Sequence, residues 1–223
     1  MQRSSETSRA VEDYLVAIYK LEEAFGVART CMIARELGVK PATVTKMVSR
    51  FARMGLVEWV PYRGVRLTPK GREIAERIVR KHRIAEYFFN RVLGFDLVKS
   101  HIYAHMLEHL PDEVFERLYE FLGRPSTCPH GNPIPGSEIP KEIADSRPLA
   151  RFEPGRMVRV VRILCGFDTD ILKRVEVLGL RSGTEVCIEN VSVESITIRI
   201  GSSTLKLDSS IAFLVYGIEI GKC

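Results

Sequence analysis

No apolar run in this chain of 223 residues approaches the roughly 18 residues that a membrane-spanning helix needs. The opening stretch MQRSSETSRA has no apolar core of the kind a secretory signal carries. Neither a membrane partner nor export is therefore expected. Cysteine is scarce: Cys31, Cys128, Cys165, Cys187 and Cys223 are odd in number, scattered, and never in C-x-x-C spacing. That pattern points to a reduced, cytoplasmic setting and against a disulfide scaffold. Acidic residues are short only in the N-terminal part. Residues 1–92 hold 18 Lys and Arg against 10 Asp and Glu; residues 93–150 hold 5 against 9, and residues 151–223 hold 10 against 9. A basic first segment selects a polyanionic partner, most simply nucleic acid.

What is present is an ordinary globular composition, 45% hydrophobic, with length for two or three domains. Val11, Tyr14, Leu15, Ile18 and Tyr19 set a helical stripe over roughly 7–24. A short helix over about 30–37 follows, then the Gly38-Val39-Lys40 turn. Pro41 occupies a first-turn position, and Ala42 to Met54 reads as a second helix with Val44, Met47, Val48 and Phe51 on one face. Helix, glycine turn, helix is the helix-turn-helix layout. Pro41, Ala42, Thr43, Thr45, Lys46 and Arg50 cluster toward the start and outer face of the second helix. Hydroxyls and small apolar groups suit base edges, and Lys and Arg suit phosphates. Leu56–Val60 and Val65–Leu67 flank a turn as a hairpin wing that carries Arg63.

Four of the five histidines fall within 28 residues. With 100° per residue, His101, His105, Glu108 and His109 form one helical stripe about 100° wide. His82 and Glu86 make a second pair at i, i+4 on a helix that Thr68 caps, Pro69 opens, and Val92 closes. Imidazoles and carboxylates converging in this way suit a divalent transition metal, where isolated histidines on a helix would be a solvated face. Because an imidazole must be neutral to ligate, metal binding is expected to weaken as pH falls toward ~6. His105-Met106-Leu107-Glu108-His109 also spells H-x-x-E-H, a zinc-peptidase motif. That chemistry needs a further ligand and a cleft, and gives the basic helix-turn-helix no task. Val114, Leu118 and Leu122 mark another short amphipathic helix. Apolar helix faces beyond what a small domain can bury suggest a homodimer.

Arg80-Lys81-His82-Arg83-Ile84-Ala85-Glu86, the His101–His109 stripe and Gly131-Asn132-Pro133-Ile134-Pro135-Gly136 resemble the diphtheria toxin repressor family of metal-dependent regulators. Val11-Glu12-Asp13-Tyr14-Leu15 and Val44-Thr45-Lys46-Met47-Val48 are closer to its manganese-responsive branch. The resemblance covers most of residues 8–136. It implies two metal sites per subunit: a primary one from Asp13, His105, Glu108 and His109, and an ancillary one from His82, Glu86 and His101, completed by Asp168 from the C-terminal region. The chain departs from the iron-responsive members, which have methionine and cysteine at the positions of Asp13 and His105. It departs from the manganese branch at Val16, where that branch has a glutamate. Carboxylate and imidazole in place of sulfur favour Mn(II) or Fe(II); ligand type alone leaves Zn(II), Co(II) and Ni(II) open.

Residues 123–150 hold six of the eleven prolines and read as a linker. Cys128 and His130 within it read as structural. Beyond it, Met157–Leu164, Glu185–Asn190, Ser195–Ile200, Ser203–Leu207 and Ile211–Ile220 read as strands of a small SH3-like barrel, a segment that resembles the FeoA-type domain common in the family. The expected architecture is mainly α over its first two-thirds, followed by a small all-β barrel. A winged helix-turn-helix domain takes 1–71, a helical metal-binding and dimerisation domain 72–136, a Pro-rich linker 137–150 and the barrel 151–223. The expected function is a dimeric, metal-activated regulator that binds a palindromic double-stranded DNA operator and represses metal-uptake genes. A zinc-responsive regulator of the same fold and a metal-independent DNA-binding protein remain as alternatives. No small organic ligand is expected.

Overall fold

The computed structural model describes residues 8–223; the expected helix start at residue 7 lies outside them. Helix α1 (Arg9–Phe25) buries Val11, Leu15, Ile18 and Leu21 and stops at Gly26, whose φ of 73° allows the left-handed cap. Helices α2 (Thr30–Glu36) and α3 (Pro41–Arg53) follow, the latter opening on proline. Their apolar faces, Ile33 and Ala34 with Val44, Val48 and Phe51, pack against α1. Strands β1 (Val57–Val60) and β2 (Gly64–Leu67) pair antiparallel as the wing.

Helix α4 (Pro69–Tyr87) is capped by the Thr68 hydroxyl, which accepts from the Gly71 amide. It does not run on as α-helix to Val92: Phe88–Val92 widens into a π-turn. Helix α5 (Leu97–Leu107), capped by Asp96, and helix α6 (Asp112–Phe121) complete the middle segment. Ile84, Ala85, Ala104, Phe115 and Ile134 form its own core.

Residues 123–150 are not a free linker. Cys128 to Asn132 and Ile134 are buried, helix α7 (Lys141–Ala144) forms, and β3 (Arg147–Pro148) already pairs with the β domain. The prolines here shape a packed strap. Its His130 carbonyl accepts from the Ile163 amide, and Asn132 Nδ2 donates to the Ile163 carbonyl.

The C-terminal sheet contains β4 (Arg156–Ile163), β5 (Glu185–Val191), β6 (Ser195–Ile200), β7 (Ser203–Asp208) and β8 (Val215–Lys222), in the order β3-β8-β4-β5-β6-β7. The expected last strand is split. Ser209–Ala212 turns into helix α9, which lets Ile211 and Ala212 both enter the core, and β8 starts only at Val215. Helix α8 (Thr169–Val177) was not anticipated; its signal is Asp168 as N-cap ahead of Ile171, Leu172 and Val175.

Cys187 and Cys223 form a disulfide, against the expectation of reduced cysteines throughout. They are 36 residues apart in sequence. Met157 pairs with Cys187 on one side and Gly221 on the other, so the chain end curls past the edge of β4. Cys31, Cys128 and Cys165 are free.

The β domain is docked on the helices. Leu164, Phe167 and Leu214 join the core around α1, and Phe25 meets Phe167 edge-on at 5.2 Å between ring centroids. Gly131 sits where the strap crosses β4. Its φ is +80°, and an added Cβ would lie 1.9 Å from the Val161 carbonyl oxygen. Gly131→Ala is expected to destabilise the chain by about 2 kcal/mol or more in urea unfolding. A variant as stable as the parent would contradict this docking.

Candidate metal centre and nucleic-acid face

Three segments meet around the buried Glu108 carboxylate, which is 2% exposed. Helix α5 ends at Leu107, so Glu108 is its C-cap residue and His109 lies in the turn before α6, not on the helix proper. Glu108 keeps helix-like dihedrals and stays on the His105 side. Its Oε1 is 3.1 Å from His105 Nδ1 and 3.8 Å from His109 Nε2. From α1, Asp13 Oδ1 comes within 3.1 Å of that same His109 nitrogen. Asp13, His105, Glu108 and His109 are thus contiguous.

A second group adjoins it. His82 and Glu86 stand one turn apart on α4. His82 Nε2 is 3.0 Å from Glu86 Oε1 and 3.0 Å from His101 Nδ1, and His101 Nδ1 is 2.7 Å from Glu86 Oε1. The two groups share a bond, His82 Nδ1 to Glu108 Oε2 at 2.6 Å. They form one continuous cluster.

Asp168 does not join it. One of its carboxylate oxygens accepts from the Asp170 and Ile171 amides at the start of α8, and the other meets Arg35 at 2.8 Å. The N-cap role consumes the acid that was expected to complete the second site. Cys128 and His130, read as structural, come instead to Glu86. His130 Nδ1 is 3.4 Å from Glu86 Oε2 and 3.8 Å from Cys128 Sγ. Sequence reasoning also missed Glu12, whose Oε2 lies 3.0 Å from His109 Nδ1. A carboxylate there can hold the proton on Nδ1, which makes Nε2 the nitrogen able to offer a lone pair. Lys20 was missed as well: its ammonium lies 3.2 Å from His105 Nε2.

The donor chemistry fits a divalent cation. Asp13, Glu108 and His109 offer ligand atoms within 4.8 Å of one another, as do His82, His101 and His105, and Glu86, Cys128 and His130. Glu12, Asp13 and Glu108 all crowd one imidazole. Burial and the neighbouring Glu108 push Asp13 up, against the pull of His109. Burial opposes ionisation of Glu108, but His82 and His105 outweigh it and hold this carboxyl well below the usual range. Glu86 is held low likewise, by His130 and His82 against burial. Burial, with the Lys20 charge next, pushes His105 down to about 4. His130 goes the other way, up to about 10, because Glu86 and Cys128 overcome burial. Its Nε2, and Asn132 Oδ1, are buried without a hydrogen-bond partner among the described residues.

The residues expected to contact DNA lie apart from this cluster. Pro41, Ala42, Thr43, Thr45, Lys46 and Arg50 are exposed on α3, and Arg63 is exposed in the wing turn, while Val44, Val48 and Phe51 face inward. Ile102, Met106 and Leu110 are exposed along and just beyond α5, with Val114 and Phe121 on α6.

Residues 6–65 match the family described as iron dependent repressor, N-terminal DNA binding domain, and residues 68–136 match its metal binding and dimerisation domain. Residues 147–217 match the FeoA domain. The chain is 36% identical over 222 residues to the diphtheria toxin repressor of Corynebacterium glutamicum, spanning 95% of each chain. It belongs to the diphtheria toxin repressor family. A second relative of this family, the iron-dependent repressor IdeR of Mycobacterium tuberculosis, is 34% identical over 217 residues, covering 92% of this chain and 94% of that one. Among solved structures, T. acidophilum IdeR superposes with a TM-score of 0.82 at 28% identity, covering 99% of this chain and all of that one. A manganese-dependent transcriptional repressor in complex with manganese superposes at 0.76 with 29% identity, over 94% of this chain and all of that one. The chain is therefore a metal-dependent, DNA-binding transcriptional regulator with a dimerisation segment and a FeoA-type, SH3-like β domain. The H-x-x-E-H spelling falls inside the segment that matches metal binding and dimerisation.

These pKa shifts divide the expected pH response among the histidines: burial and Lys20 oppose the charge on His82, but Glu86 and Glu108 outweigh them and push it up, so His82 still gains a proton as pH falls. His105 is already neutral at pH 6, so its protonation does not weaken binding there. His130 is protonated at neutral pH, and burial with Glu86 nearby keeps Cys128 a thiol. Both must lose a proton to ligate. Titrating divalent metal at pH 7.5 in buffers of different ionisation enthalpy should therefore reveal release of about two protons from this set, and about one fewer in Cys128→Ser. Unchanged release in that variant would exclude the thiol as a ligand.

Proposed function

We propose that the chain is a homodimeric, Mn(II)- or Fe(II)-activated repressor of metal-uptake genes that binds a palindromic operator. The observation that carries this reading is the approach of Asp13, on the first helix of the DNA-binding domain, to His109 and Glu108, at the end of α5. A divalent ion held by Asp13, His105, Glu108 and His109 would supply a charge-neutralising link between the two domains. Those residues would then favour one orientation of α3 relative to the dimer core, and only an orientation-dependent affinity can shift that balance.

The all-N/O set of Asp13, His105, Glu108 and His109 supports Mn(II) or Fe(II). The mixed set of Glu86, Cys128 and His130, beside His82 and His101, supports a second ion of softer character. In this reading Asp168 serves the docking of the β domain and not metal ligation. Exposed Ile102, Met106, Leu110, Val114 and Phe121 support a self-complementary face that would bring two α3 helices to successive major-groove turns. Thr43 and Lys46 would meet bases, with Pro41, Ala42 and Thr45 packed beside them; Arg50 and Arg63 would meet phosphates. A zinc-responsive regulator is a second reading, favoured by the Cys128 thiol.

The test is a gel shift on the DNA upstream of the chain's own gene, with Mn(II), Fe(II), Zn(II) or chelator. Retardation is expected with Mn(II) or Fe(II) and not with chelator. His109→Ala, which removes the nitrogen that meets both Asp13 and Glu108, should lose at least tenfold in metal-dependent DNA affinity without unfolding. Retardation that persists in chelator would overturn the metal-activated reading.

A further inference from the structure

Lys20 is an ammonium group where a cation site would be least expected to tolerate one. It lies on α1, two turns after Asp13, and is 7% exposed. Among the described residues its side chain has one polar partner, His105 Nε2 at 3.2 Å, and no carboxylate within ion-pair distance. A buried ammonium carries no acceptor, so it must donate, and the imidazole nitrogen must accept. That fixes the tautomer of His105. Nε2 carries the lone pair, and Nδ1 carries the hydrogen, which it donates to Glu108 Oε1 at 3.1 Å. Both ring nitrogens are therefore spent in bonds within the protein.

His105 cannot ligate an ion and keep this arrangement. Ligation through Nε2 uses the lone pair that Lys20 needs. Ligation through Nδ1 requires that nitrogen to be unprotonated, which moves the hydrogen to Nε2 and sets an N–H against the ammonium. In either case the Lys20 bond is lost. The positive charge of Lys20, 3.2 Å from His105 Nε2, opposes any other cation among these residues.

We propose that Lys20 is a tethered internal competitor for the metal site: its ammonium holds His105 when no metal is bound, and must release it for His105 to ligate. This rests on the reading of His105 as a metal ligand. It deepens that reading by naming what sets the metal threshold. The Lys20–His105 contact ties α1 to α5. Loading would break that tie, while Asp13, seven residues earlier on the same helix and already 3.1 Å from His109, keeps α1 at the site.

The experiment uses the full-length protein, with Lys20→Met to remove donor and charge at similar length, and Lys20→Gln to keep a donor without the charge. Mn(II) affinity is measured by calorimetry, and the imidazole nitrogen shifts of His105 by NMR on the metal-free protein. Lys20→Met should bind Mn(II) about tenfold tighter or more, the worth of one hydrogen bond from a charged donor. Lys20→Gln should fall between Lys20→Met and the parent. In the parent, His105 Nε2 should show the shift of a hydrogen-bonded acceptor, and in Lys20→Met that signature should disappear. Equal or weaker Mn(II) binding in Lys20→Met, with the parent binding normally, overturns the competitor while leaving His105 a ligand. An unchanged His105 signature also overturns it. Absence of Mn(II) binding in the parent would overturn both this proposal and the metal site on which it rests.

Discussion

A carboxylate cannot be left unpaired in the interior, and the arrangement around Glu108 follows from that constraint. Its burial costs several kcal/mol unless donors surround it. The donors come from two helices, His82 on α4 and His105 on α5, and the His109 imidazole in the turn that follows lies 3.8 Å away. Two of these histidines also meet a further acid: His82 meets Glu86, and His109 meets both Glu12 and Asp13. The network thus runs from the first helix of the DNA-binding domain to the strap beneath the β domain. No single helix contains it. A change in charge at its centre is felt at both ends.

The β domain takes part in that network indirectly. Its β4 strand seats His130 through the Ile163 amide, and the close approach at Gly131 leaves room for nothing larger than hydrogen. On its other side, Phe167 packs on Phe25 and Asp168 meets Arg35, so the same domain also grips α1 and α2. Dimer core, reading head and β domain therefore contact one another pairwise.

Periodicity made the helical part legible. The α1 stripe, the Pro41 and Pro69 helix starts and the i, i+4 pair His82 and Glu86 all report local geometry, which sequence spacing encodes directly. Composition told in the same way that the first third meets a polyanion. What was hidden depends on long-range approach. Cys128 and His130 gain meaning only when the strap folds back to Glu86. Asp168 entered the ligand set through the family resemblance alone, and its role as a helix cap becomes visible only with α8, a helix of nine residues. Lys20 reads as one more basic residue until the fold sets its ammonium against His105. The disulfide joins Cys187 on β5 to Cys223, just past the end of β8, a strand that is not β5's neighbour, so only the register on β4 reveals it.

The central claim is that metal and DNA are linked through Asp13, and linkage is reciprocal. The direct measurement is the Mn(II) affinity of the protein, free and bound to operator DNA, in the parent and in Asp13→Ala. Asp13 is only half-buried, so its removal should leave the fold intact. In the parent, operator should tighten Mn(II) binding by the same factor by which Mn(II) tightens operator binding. In Asp13→Ala that factor should fall close to one. An Asp13→Ala protein with the parent's coupling factor would contradict the account.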